Sequence, residues 1–151
     1  MAARKLRAVL DTSVLVAAVL RPDGPSGQVL KAFRKGRFTH VTSSAILDEM
    51  VDVLARDKIQ RMTKLTREDI ATLRLAIQQR AESASGEYKD VDVVASDPKD
   101  NPIVAAALEM QARYVVTLDA SDLLRLKVFL VSGHRPVQIE SPMGFLRLLG
   151  G

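Results

Sequence analysis

Three stretches of the chain share one pattern, a short apolar run that ends at acidic residues and gives way to a segment with helical spacing. Ala8 to Leu10 lead into Asp11, Val91 to Ala95 into Asp97 and Asp100, and Tyr114 to Leu118 into Asp119. Short apolar runs bounded by turn residues predict buried strands, and their alternation with helical periodicity predicts a helix-covered parallel sheet with right-handed crossovers. The fold class expected is therefore α/β, with a central, mainly parallel sheet and helices on both faces. The acids would then gather at the carboxyl edge of the sheet, where α/β proteins place their sites.

Taken in order, a helix is expected from Thr12 to Leu20, broken by Pro22, Gly24 and Pro25. Ser26 can cap a second helix through about Arg34, which Gly36 stops. Phe38 to Val41 is the next expected strand, and Ser43 or Ser44 begins a helix running to about Ala55. At about 100° per residue, Ile46, Leu47, Met50, Val51, Val53 and Leu54 form one broad apolar face of that helix, Asp48 and Asp52 point away, and Glu49 sits at the border beside Ile46 and Val53. Of these three acids, spacing selects Glu49 as the one able to reach the sheet edge.

Arg56 to Lys64 is poorly patterned and is expected to be a helix end with a connection. Thr66 and Asp69 fit a capping box opening a helix through about Ala81, and Ala84 to Glu87 is expected as a loop. Asp97-Pro98 predicts a turn and Asn101-Pro102 a helix entry, on which backward projection aims Asp100 inward. Ser121 or Asp122 can cap a short helix to Arg125. Val137 to Ile139 suit a last strand before Pro142 opens a terminal helix bearing Phe145, Leu146 and Leu149.

Composition narrows the chemistry. The 151 residues suit one domain, 1–151, and contain no Cys, which removes disulfides, thiolate nucleophiles and Cys-ligated zinc. Two histidines, His40 and His134, leave little for a nitrogen-rich metal site and are expected to be structural. Any metal would be held by oxygen, which favours magnesium, manganese or calcium. The balance of 22 Lys+Arg against 18 Asp+Glu gives a net charge of +4, which permits a polyanionic partner without requiring one. The basic runs Lys31 to Arg37 and Arg56 to Arg67 are expected first as solvated faces. Val14 to Leu20 is far too short for a membrane span of ~20 residues, and Asp11 interrupts any signal-like apolar core. A soluble, cytoplasmic protein without membrane contact is expected.

Each acid has a bland alternative, since Asp is a preferred helix N-cap and Glu49 could be solvated. Several inward-directed acids at one edge, with few interleaved cations, would repel one another and favour a divalent ion. Asp97 and Asp122 are assigned mainly to turn and cap duty.

The segments LDTSVLVAAVL, SSAILDEMVDVL, DPKDNPIVAAALE and YVVTLDASDLL, in this order and spacing, resemble the PIN-domain ribonucleases over nearly the whole chain. The likeness looks closest to the toxin–antitoxin branch that includes VapC-type toxins. It implies a PIN-like fold and a catalytic and metal-binding quartet at Asp11, Glu49, Asp100 and Asp119, the four acids that geometry favoured. Ser13 and Thr117 fall where the family often has a polar helper; the supporting role open to Asp97 and Asp122 beside their turn and cap duty comes from their position and not from the likeness. Implied with it are Mg2+- or Mn2+-dependent hydrolysis of single-stranded RNA, an antitoxin partner and a homodimer. Two positions depart from the usual pattern. Ser13 stands where Asn is common, and Leu118 where a small or polar residue usually precedes the last Asp. A binding module of the same fold without catalysis is the alternative.

Overall fold

The computed structural model describes residues 5–85, 101–119, 128–129 and 136–150. Its centre is β1 (Arg7–Leu10), in which Ala8, Val9 and Leu10 are wholly buried, as a strand covered on both faces must be. β1 pairs in parallel with β2 (Thr39–Ser43) on one side and β4 (Tyr114–Val116) on the other. β3 (Glu82–Ala84) extends the sheet beyond β2, and β6 (Val137–Glu140) extends it beyond β4, both in parallel. β5 (Val128–Phe129) closes the far edge antiparallel to β6, giving the order β3-β2-β1-β4-β6-β5.

The register separates the two faces. Ala8 stands beside His40 and Tyr114, and Val9 beside Val41 and Val115, so alternate residues point to opposite layers. The Ala8 face is covered by α2 (Pro25–Arg34) and the terminal helix α7 (Pro142–Leu148). There Phe33, Phe38, His40, Tyr114 and Phe145 form a ring cluster, with edge-on contacts of 4.8 Å for Phe33–His40 and 4.9 Å for Phe38–Phe145. The opposite face carries α6 (Asn101–Glu109), which packs on β1, β2, β3 and β4. From that face the Arg7 guanidinium reaches the Met110 carbonyl just after α6 and, across β2, the Glu82 carboxylate at 2.8 and 3.1 Å. The Arg7 hydrogen bonds hold the Glu82 carboxyl below the usual carboxylate range. α1 (Thr12–Leu20) and α3 (Ser44–Leu54) follow β1 and β2 directly and pack on each other.

Several boundaries differ from those the pattern predicts. α2 begins at Pro25 with Gly24 at its N-cap, and Ser26 is buried in the first turn. Gly27 in that turn lies so close to Pro22 that a Cβ would meet the Pro22 carbonyl oxygen at 2.0 Å, so only glycine fits. Gly36 ends the segment with φ +74, a conformation glycine tolerates. β2 is displaced to Thr39–Ser43. Arg56 to Lys64 holds a separate helix, α4 (Asp57–Thr63), which has no buried residue and so no apolar face to reveal it. The capping box at Thr66 and Asp69 is formed, opening α5 (Arg67–Arg80). The third strand is Glu82–Ala84, at the start of the expected loop, and buries only Ala84. The expected strand Val91–Ala95 and the helix capped at Ser121 or Asp122 lie outside the described residues. Among the described residues no helix is long and apolar enough to cross a membrane.

His40 is wholly buried, and neither ring nitrogen has a hydrogen-bond partner among the described residues. Burial lowers its pKa from 6.5 to about 3, because the surroundings cannot solvate an imidazolium. Between these values the unfolded chain binds a proton that the folded chain refuses. Stability should therefore decline as pH falls below 6.5, with a slope approaching about 1.4 kcal/mol per pH unit from this group. His40→Met, which fills the site with an apolar side chain suited to aromatic neighbours, is expected to flatten the slope between pH 5 and 6.5 in urea titrations. An unchanged slope would show that another group controls acid sensitivity.

Candidate active site

Asp11 is the first residue beyond β1, fixed by its own N–H donating to the Val116 carbonyl at 2.9 Å. It occupies the N-cap position of α1, and its carbonyl accepts from Val14 and Leu15. Its side chain nevertheless makes no capping bond. The carboxylate, only 8% exposed, instead accepts from the Thr117 hydroxyl at 2.6 Å and the Ser13 hydroxyl at 3.0 Å, both on Oδ2. No hydrogen bond from the described residues reaches Oδ1. The bland reading of Asp11 as a simple helix cap thus fails on its own geometry.

Both hydroxyls also accept. The Asp119 N–H donates to Thr117 Oγ1 at 2.9 Å, and the Leu118 N–H donates to Ser13 Oγ at 3.2 Å. Two short relays therefore tie the Thr117–Asp119 turn to Asp11 and set the half-buried Asp119 beside it. This explains why β4 ends at Val116: Thr117 still donates its N–H to the Glu140 carbonyl, but the next two amides turn to hydroxyls instead of the ladder.

Glu49 comes from α3, whose N-cap Ser43 accepts from the Ile46 N–H at 3.3 Å. It is half-buried, and its Oε2 accepts from the Thr12 hydroxyl at 3.3 Å, which brings it to the residue following Asp11. Its neighbours point elsewhere, as the helical spacing predicts. Asp48 pairs with Arg74 on α5, and Asp52 is exposed. Thr12 was not singled out by pattern alone. The signal was present in the run Asp11-Thr12-Ser13, where two hydroxyls directly follow a buried acid.

The structure thus brings together Asp11, Glu49 and Asp119 with Ser13 and Thr117. Asp100, which immediately precedes α6, lies outside the described residues, as do Asp97 and Asp122. Among the described residues no group of three or more Asp, Glu, His or Cys is placed to hold a metal by itself. The donor set is nevertheless all oxygen, the chemistry that suits a hard divalent ion.

An α/β protein with a hydroxyl-clamped carboxylate at the carboxyl edge of a mainly parallel sheet belongs to the class that places its sites at that edge. Compared with known families, residues 7–121 match the PIN domain, and the chain belongs to the PIN domain family. At family level this is a nuclease fold. No curated protein matches the sequence. Among solved structures the chain is similar to VapBC2 from Rickettsia felis, crystallised bound to a DNA fragment from its promoter, at 18% identity and a TM-score of 0.55. The match covers 90% of this chain and 98% of that one, and at this identity it speaks for the fold.

Thr117→Val keeps the shape of the buried side chain but removes the donor to Asp11 and the acceptor for Asp119. A loss of about 1–3 kcal/mol in denaturant titration is expected, against a smaller loss for Ser13→Ala, whose position is more exposed. Equal stabilities for wild type and Thr117→Val would show that the relays do not hold the turn.

Proposed function

We propose that the protein is a Mg2+- or Mn2+-dependent endoribonuclease that hydrolyses single-stranded RNA, acting in the cytoplasm as the toxin of a toxin–antitoxin pair. The observation that carries this reading is the Asp11 carboxylate, buried, withdrawn from capping and fastened through one oxygen, beside a second acid on β4's exit and a third on α3. A purely structural Asp at this position would cap α1. The resemblance of the four motifs supports the RNA substrate and suggests a homodimer, and a structural neighbour named as VapBC2 supports an antitoxin partner.

In this reading Asp11, Asp119 and Asp100 are the metal ligands, with Glu49 completing the acidic set. When bound, a divalent ion supplies an acidified water and offsets charge developing on the phosphoryl and leaving oxygens. Thr117 and Ser13 keep Asp11 Oδ2 occupied, so the carboxylate cannot rotate freely and its other oxygen faces a fixed direction. Glu49, steadied by Thr12, orients the attacking water and accepts its proton. No side chain becomes covalently attached to the substrate.

Digestion of a defined RNA pool with and without magnesium tests the activity. Asp11→Asn should abolish cleavage, and Glu49→Gln should lower it by about 10²-fold or more, while Asp48→Asn and Asp52→Asn leave it nearly unchanged. Equal losses from all three α3 variants would remove Glu49 from its role. No metal-dependent cleavage by the wild type would leave a PIN-like binding module.

Magnesium or manganese should also raise the melting temperature by mass action on the folded state. The shift should shrink in Asp11→Asn. An identical shift in both proteins would place the metal elsewhere.

A further inference from the structure

Leu118 is 46% exposed although it sits between the hydroxyl-clamped Thr117 and Asp119. Its side chain lines a groove of about 360 Å³ together with Leu20, Pro25, Pro142 and the half-exposed Met143. Arg21 and Ser26 also contribute to its walls. The groove lies where the turn between α1 and α2 meets the start of α7, one residue away from Asp119 in sequence. A second pocket, of about 280 Å³, lies further along the same α2–α7 seam and is lined by Gln28, Lys31, Lys35, Arg37 and Leu146. Lys31, in the last turn of α2, and Lys35, at its C-cap, are four residues apart and both line this pocket. Arg37 is held there by donating to the Leu149 carbonyl at 2.8 Å.

Acids, an apolar groove and a cationic pocket thus follow one another from the carboxyl edge of the sheet down the seam. We infer that this seam is the track of the RNA strand: the Leu118–Met143 groove takes a nucleobase flanking the scissile phosphate, and Lys31, Lys35 and Arg37 take backbone phosphates beyond it. The inference rests on the ribonuclease reading and adds where the strand lies and how it is held. The occupant follows from charge and chemistry. A base offers a flat apolar face, and the cations at the far end suit the phosphates that must accompany it. The ten residues of α2, Pro25–Arg34, span about 15 Å, which matches on the order of four nucleotides at the ~3.4 Å spacing of a stacked strand. Apolar walls hold a base without reading its hydrogen-bonding edge, so the groove contributes affinity and position more than sequence choice.

Binding is measured by fluorescence anisotropy with a labelled single-stranded RNA in magnesium-free buffer, and cleavage separately with magnesium. Leu118→Ala combined with Met143→Ala, both at exposed positions, should weaken binding on the order of tenfold with the salt dependence unchanged. A single abasic nucleotide at the matching position should cost wild type the same factor and the double variant nothing further. Lys31→Glu combined with Lys35→Glu should instead flatten the salt dependence, by about 1.4 in the slope of log K against log salt for two phosphates. Wild-type binding without cleavage would remove the nuclease reading while these comparisons still test the track. RNA affinity unchanged by both double variants, or no RNA binding at all, overturns it. So does unchanged RNA affinity in the groove variant together with lost binding of a small protein encoded beside this one, which would assign the groove to a protein partner.

Discussion

The Asp11 carboxylate is a charge at 8% exposure, and it is kept there by two hydroxyls aimed at one of its oxygens. A buried carboxylate without such donors would cost several kcal/mol. Meeting that demand fixes much else. Thr117 must lie at the end of β4, β4 must pair beside β1, and the turn after Thr117 must bend so that two amides find hydroxyl acceptors. The sheet order and the site geometry are therefore two sides of one requirement, that the first strand's terminal acid be satisfied from the fourth.

A second constraint works from the opposite end of the sheet. Arg7, at the start of β1, spans β2 to reach Glu82 and also binds the end of α6. One strand thus carries a cation at its entrance and an anion at its exit, each organising a different set of neighbours. The entrance contact is exposed at Glu82 and half-buried at Arg7 and contributes modestly to stability, but it aligns an edge strand with little apolar content.

What could be read in the sequence follows from how strongly each residue is over-determined. β1, β4 and α3 have dense apolar patterns, and Ser43, Thr66 and Asp69 are cap residues at cap spacing, so these elements stand close to where the pattern puts them. Glu49 was distinguishable from Asp48 and Asp52 because helical geometry alone separates them. β3 was missed because Glu82-Ser83-Ala84 buries one small residue and owes its place to Arg7, more than seventy positions earlier. α4 was missed because none of its residues is fully buried and only Ile59 packs against the core. Thr12 escaped notice because its role depends on α3 packing against α1, a tertiary fact. The apolar groove is equally hidden in the sequence, since Leu118, Leu20 and Met143 meet only in the folded chain.

The bond between Thr117 and Asp11 joins residues 106 positions apart, while the Thr12–Glu49 bond spans only 37. Contacts of such long sequence separation form late, after the entropy of closing the intervening loop has been overcome. During synthesis, then, the first strand and its helices can assemble around Glu49 while Asp11 still lacks its hydroxyl partner from the fourth strand. The site is completed only when the distal part of the chain has left the ribosome and docked. Whatever chemistry the site performs, that order of assembly withholds it until the distal part of the chain has docked, so it belongs to the finished molecule alone.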